Sequence, residues 1–213
     1  SNDDREATIP VEDISVLILE DQKSTLSSAI ISKLLDNGAT IVHCDAQRLP
    51  CGLSMPFHGH SRTAEIAQIQ IDLTAAFKKQ CWRHIIRAKV VNQSHLLDRR
   101  GARGPAVALT AMSARVRSGD TGNVEAQAAR EYWKSLAPDA FNRKGRYDGA
   151  SDILNHGLNY GYAILRSLVA RAITAAGLLP ALGLHHNSKL NAFNLVDDLI
   201  EPYRPFVDDL VFS

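Results

Sequence analysis

LTAAFKKQCWRHIIRAKVVNQSHLL, residues 73–97, places Phe77, Trp82, Ile85, Ile86 and Val90 at helical spacing. The period predicts one long helix whose apolar stripe faces a core. Upstream, Ser61 is positioned to cap a shorter helix, and downstream the helical pattern recurs roughly over 105–116, 124–136, 153–176 and 193–210. The breaks between these segments are marked by RRGARG, SGDTGN, APDAFNRKGRYDG and LPALGLHHNSK, which carry the glycines and short polar residues that turns require. Ahead of Ser61 the pattern differs. ISVLILE, from Ile14, is short, apolar and β-branched and reads as a buried strand; a helix capped by Ser24 or Thr25 and closed by Gly38 follows, and ATIVHC, residues 39–44, reads as a second strand. RLPCGLSMPFHGH then reads as turn-rich. The expected fold is therefore α+β: a small N-terminal β-rich domain and linker over 1–60, and a larger all-α domain over 61–213.

With 213 residues and 45 % hydrophobic content, the chain is large enough to bury one sizeable core with a smaller unit attached. No apolar run approaches the roughly 20 residues that span a bilayer, and SNDDREATIP has neither a basic region nor an apolar signal core, so a cytoplasmic location is expected. The opening Ser-Asn, without an initiator methionine, suggests a processed fragment or a cloning remnant, with the N-terminal domain incomplete. Cys44, Cys51 and Cys81 contain no CxxC pair, which supports neither a disulfide framework nor a cysteine zinc site.

The net charge of +1 conceals an asymmetry. Lys78, Lys79, Arg83, Arg87, Lys89, Arg99, Arg100 and Arg103 face only Asp98 in that stretch, whereas Asp197, Asp198, Glu201, Asp208 and Asp209 surround a single Arg204. A basic surface near an acidic cluster suits a metal-using phosphate enzyme, in which one part holds the backbone and the other the cation. A solvated basic helix face is the plainer alternative.

Three stretches carry candidate chemistry. GNVEAQAAREYW, residues 122–133, delivers Glu125 into a first helical turn beside small alanines; the helix macrodipole alone also favours an acid there. LGLHHNSK sets His185 and His186 on a loop, where either imidazole suits a borderline cation and either is equally at home as a surface polar group. NAFNLVDDLIEPYRP puts Glu201 three residues from Asp198 and four from Asp197, on a shared helical face. Like charges so held need a cation or a basic partner, although a solvated acidic face is common. Pro202 predicts a local kink. A ligand set of carboxylates and one histidine suits magnesium or manganese better than structural zinc.

These three stretches, in this order, resemble the CRISPR-associated integrase family over most of the chain. GNVEAQAAREYW is similar to the family's G-N-x-E-x-x-A-A-R/K-x-Y-F/W motif, NHGLNYGYAILRSLVARAITAAGLLPALGLHH to its long central helix and following loop, and FNLVDDLIEPYRPFVD to its D-L-M-E-P-F-R-P ending. PFHGHSR and GLHHN resemble the branch associated with a single-protein RNA-guided effector. The resemblance implies a metal triad of Glu125, His186 and Glu201, binding Mg2+ or Mn2+, with Asp198 in support. His186 is preferred by its spacing to Glu201, and His185 remains in reserve.

The implied activity is attack by the 3′-hydroxyls of a short DNA duplex on phosphodiesters at the edges of a CRISPR repeat, with endonuclease action when water replaces the hydroxyl. The implied partners are DNA, a second copy of the chain through the N-terminal domain, and a small ferredoxin-like CRISPR adaptation protein. Arg166 is a plausible phosphate contact. His58 and His60 read as loop or dimer-surface residues, Trp82 and Trp133 as core, and Asn155 and Tyr160 as either site support or packing. Two other readings stay open: an unrelated metal-dependent phosphodiesterase with carboxylates in this order, and a DNA-binding scaffold without chemistry.

Overall fold

The computed structural model describes residues 7–56, 60–137, 141–144 and 152–213. A short sheet comes first. Strand β1 (Val16–Leu19) runs parallel to β2 (Thr40–Cys44), which pairs antiparallel with β3 (Pro50–Ser54), in the order β1-β2-β3. The parallel pair requires a crossover, and helix α1 (Ser28–Asp36) supplies it. Its cap is Ser27, whose hydroxyl accepts from the Ile30 N–H at 3.3 Å; Ser24 and Thr25 lie too far upstream for that role. Gly38 closes the helix at φ +74°, with its N–H bonded to the Leu35 carbonyl and that of Ala39 to Leu34. Strand β3 falls within the stretch that reads as turn-rich. Pro50 and Gly52 are weak strand formers, but Pro50 is its first residue, in an edge position where a missing N–H is tolerated. Leu34, Ala39 and Ile41 form this unit's core.

The helical part begins with α2 (Thr63–Ile71) and the long α3 (Ala75–Arg99), followed by α4 (Arg103–Arg115), α5 (Val124–Leu136) and α6 (Ile153–Ala175). A small sheet followed by a helical region is the α+β arrangement expected. Thr74 caps α3, accepting from the Phe77 N–H at 3.2 Å, whereas α2 has no side-chain cap from Ser61. The apolar stripe of α3 is buried from Trp82 onward, where Trp82, Ile86 and Val90 pack with Leu109 of α4 and with Val124, Ala128 and Tyr132 of α5; Phe77, expected on the same stripe, lies in the first turn of the helix and is exposed. Full burial of each large side chain contributes about 1.5–3 kcal/mol. Trp133 sits at the edge of this core against the rings of Phe141 and Phe212.

The predicted C-terminal helix is divided. Helix α7 (Asn194–Ile200) passes into a 3-10 turn over Glu201–Tyr203 and resumes as α8 (Arg204–Val211). Pro202 and Pro205 each lack an amide hydrogen and force the break. A second core, centred on Ala170 and Ile173 of α6 with Leu195, Val196 and Ile200 of α7, shares Leu184 and Leu199 with the first. Helix α8 lies so close to α6 that a methyl group on Gly161 would strike Val207. Arg171 of α6 donates from Nε to the Gly38 carbonyl at 2.6 Å, tying the helices to the sheet unit. No helix among the described residues is long and apolar enough to cross a membrane. His58 lies outside the described residues, and His60 accepts the Arg62 N–H through Nδ1.

Candidate functional site

Glu125 owes its place to Asp120. Asp120 and Asn123 both adopt left-handed backbone, at φ +48°, winding the chain tightly into α5. The two oxygens of Asp120 then accept the N–H groups of Val124 and Glu125, at 2.9 Å each. These would otherwise be unsatisfied at the helix start, so the cap both stabilises α5 and fixes the Glu125 backbone.

From α3, Lys89 reaches across to Glu125. Its Nζ lies 2.6 Å from Glu125 Oε1 and 2.6 Å from Glu201 Oε2, so one ammonium bridges carboxylates remote from each other in sequence. The lysine side chain is 11 % exposed and that of Glu201 7 %. Arg204 Nε lies 2.8 Å from the other Glu201 oxygen as an ion pair without hydrogen-bond orientation, and its guanidinium lies over the Tyr162 ring, 4.6 Å from the centroid. Asn92 of α3 donates to the Pro202 carbonyl at 2.7 Å, pinning the turn that carries Glu201. Glu201 Oε2 is buried, and its contact with the Lys89 ammonium is likewise an ion pair without hydrogen-bond orientation.

The histidine loop is organised around Asp198. This wholly buried carboxylate accepts the N–H groups of Leu184, His185 and His186 at 2.6, 3.0 and 3.1 Å, and Nδ1 of His186 at 2.7 Å. The loop closes so tightly that a Cβ on Gly183 would collide with the His186 carbonyl and crowd Asp198. The hydrogen bond to Asp198 raises the His186 pKa above the ordinary histidine value, with the charges of Asp197 and Glu201 adding to it against the opposing effect of burial. Burial opposes ionisation of Asp198, but the bonds from His186 and the backbone outweigh it and hold the carboxyl below its usual range. The neighbouring histidine is placed differently: His185 stacks on Trp82, ring centroids 4.1 Å apart and planes within 4°.

The expected residues are therefore brought together in two linked groups. Glu125 and Glu201 meet at Lys89, while His186 is set by Asp198 within electrostatic reach of Glu201. As placed, no three His, Cys, Asp or Glu side chains among the described residues form a metal-sized cluster. The acids of α7 and of the turn that follows it each have a partner of their own: Asp197 meets Arg166, Asp198 meets His186, and Glu201 meets Lys89 and Arg204. Arg166 engages Asp197 at 2.7 and 2.8 Å and Asn191 at 2.9 Å, so it anchors the loop to α7.

Sequence reasoning did not single out Lys89, Asp120 or Arg204 as site residues. The three-residue spacing of Glu201 and Arg204 is a local signal that finds Arg204. Asp120, just ahead of a helix start, is a capping signal. Lys89 has no local signal, since both of its partners are remote in sequence. The carboxylate oxygens of Glu125 and Glu201, already gathered about one cationic group, are hard donors that fit a divalent cation.

A family model for CRISPR associated protein Cas1 matches residues 1–213. The CRISPR-associated endonuclease Cas1 of Neisseria meningitidis serogroup C is 44 % identical over 201 residues, which cover 94 % of this chain and 64 % of that protein. This chain therefore spans less than two thirds of that relative's length. Among solved structures, a casposase bound to its integration product superposes with a TM-score of 0.78 at 24 % identity, covering 94 % of this chain and 60 % of that one. A partial Cas6-RT-Cas1–Cas2 complex superposes with a TM-score of 0.65 at 20 % identity, covering 100 % and 68 %. At such identities the structural likeness is one of fold. The family model, matching from end to end the same chain that carries the Glu125, His186 and Glu201 stretches, settles membership: the chain belongs to the CRISPR-associated Cas1 family.

Proposed function

We propose that this chain forms the catalytic part of a metal-dependent DNA endonuclease and integrase, which inserts short DNA fragments into a CRISPR array by 3′-hydroxyl attack on phosphodiesters at repeat ends. The observation that carries this reading is the meeting of Glu125 and Glu201 on either side of one cationic group, beside a histidine oriented by a buried carboxylate. Glu125, His186 and Glu201 would hold Mg2+ or Mn2+, which supplies charge stabilisation for the attacking and leaving oxygens of an in-line displacement.

The chain's own residues prepare that chemistry. Asp198 engages Nδ1 of His186, which leaves Nε2 as the ring nitrogen for a ligand or a proton. Asp120 and Arg204 fix Glu125 and Glu201 from behind. Lys78, Lys79, Arg83 and Arg87, on the α3 turns that precede Lys89, supply positive charge for a phosphate backbone. The neighbours, a casposase bound to its integration product and a Cas1–Cas2 complex, support DNA and a Cas2-type protein as proposed partners; a second copy of this chain and a ferredoxin-like fold for the small partner are proposed from the family resemblance alone.

A strand-transfer assay tests the proposal. A short duplex with 3′-hydroxyl ends is incubated with supercoiled repeat-containing plasmid and Mg2+ or Mn2+, with and without the small partner, using the native chain, His186→Ala and Glu201→Ala. Joined product that disappears in both variants supports the integrase reading. Plasmid nicking alone reduces it to a nuclease, and DNA binding with neither activity favours a scaffold.

A further inference from the structure

We propose that Lys89 is a built-in counter-cation of the Glu125–Glu201 pair that competes with the divalent ion for the same oxygens and withdraws into a neighbouring cavity when the ion binds. This inference rests on the metal reading above and deepens it.

The geometry sets the competition. The ammonium is 2.6 Å from an oxygen of each carboxylate, at the place where a cation shared by the two would sit. Two close carboxylates repel strongly unless a positive group lies between them, so the lysine keeps the pair assembled in the metal-free protein. A dication bound to the same oxygens would meet the ammonium at like-charge contact in a poorly solvated setting, and one of them has to leave. Lysine suits such a part better than arginine, because its charge is compact and sits on a flexible four-carbon stem.

The structure also offers a second position. Lys89 lines a cavity of about 160 Å³ whose walls include Gln93, Tyr162, Glu201 and Asp208. Gln93 stands one helical turn beyond Lys89 on α3; it is 4 % exposed, and its Oε1 is buried with no hydrogen-bond partner among the described residues. An undonated amide oxygen within one turn of an ammonium is a ready acceptor for it. Arg143 and Arg204 also line the cavity and oppose a third positive charge there, while Asp208 offsets them.

The test is Mn2+ titration followed by the electron paramagnetic resonance signal of the free ion, together with melting temperatures with and without Mn2+. The proteins compared are the native chain, Lys89→Met, Lys89→Gln, Gln93→Leu and Glu201→Gln. Removing the competitor is expected to tighten Mn2+ binding by roughly tenfold or more, to lower the metal-free melting temperature and to enlarge the rise on adding Mn2+. Lys89→Gln keeps a hydrogen-bond donor between the carboxylates and gives the reading if Lys89→Met does not fold. Gln93→Leu is expected to weaken Mn2+ binding by roughly threefold, through loss of the second position. Native binding that Glu201→Gln abolishes but neither Lys89 variant tightens overturns the lysine inference and leaves the metal site standing. No Mn2+ binding by the native chain or by either Lys89 variant overturns the metal reading itself, and this inference with it.

Discussion

Nδ1 of His186 and Oδ1 of Asp198 lie 2.7 Å apart, and the same carboxylate gathers the backbone N–H groups of Leu184, His185 and His186. One buried acid thus sets both the ring and the loop that presents it, so the two can be separated by substitution. In Asp198→Asn the His186 pKa is expected to fall back toward the ordinary range, seen as a lower midpoint when its ring resonances are followed by NMR against pH. The raised His186 value stabilises the fold below the ordinary histidine pKa, and that contribution is lost as pH rises through the folded value. The lowered Asp198 value stabilises above the ordinary carboxyl pKa and is lost as pH falls through the folded one. The pair is therefore most stabilising between about pH 4 and 6.5. Because the ring is 44 % exposed, solvent keeps its share of stability small. An unchanged midpoint would mean that something other than Asp198 sets the ring.

Asp120→Ala removes the acceptor of two helix-start N–H groups and the restraint on Glu125. A loss of about 1–2 kcal/mol is expected in denaturant unfolding, along with a fall in strand joining. Asp120→Asn keeps one oxygen acceptor and should recover part of both. Equal stability in Asp120→Ala and the native chain would remove the cap from the account.

Gly161→Ala places a methyl group where Val207 of α8 already stands. Overpacking of this kind costs about 1–3 kcal/mol, so thermal stability should drop. Gly157→Ala, whose added carbon would lie 3.3 Å from Val211, is expected to be milder. Combining Gly161→Ala with Val207→Ala should recover most of the loss, and failure to do so would show that the helix contact is not what excludes the methyl.

Asp208 is 1 % exposed and accepts the hydroxyl hydrogens of Tyr132, at 2.6 Å, and of Tyr162. Burial pushes its pKa up to about 6, with the two phenols and the nearby Arg204 and Arg143 pulling the other way. A carboxyl raised on folding favours the native state below its unfolded pKa and loses that advantage as pH rises through its folded value. Relative to Asp208→Asn, the native chain should lose roughly 2 kcal/mol of unfolding free energy as pH rises from about 4 to 6. Parallel stability curves for the two proteins would remove Asp208 as the source.

Much of this protein is legible from local pattern. The apolar period matches the buried stripe of α3 from Trp82 to Leu97, though not at the exposed Phe77, because a helix repeats every 3.6 residues and its core face shows directly in the order of residues. Helices α5 and α6 appear where the helical pattern places them, and the Glu125, His186 and Glu201 stretches mark the family without any knowledge of contacts. Strand β3 was hidden because Pro50 and Gly52 have poor intrinsic strand preference, and only pairing with β2 makes them a strand.

Tertiary structure alone decided which charged group faces which. The sequence puts Asp197, Asp198 and Glu201 within one turn and suggests a shared negative face, but packing of α3, α6 and the histidine loop gives each acid a separate partner. It likewise draws Lys89 out of a run that reads as a DNA-facing surface and sets it between two carboxylates. Residue order fixes the face of a helix on which a side chain lies, whereas ion pairing depends on distances between helices, which exist only once the cores have packed.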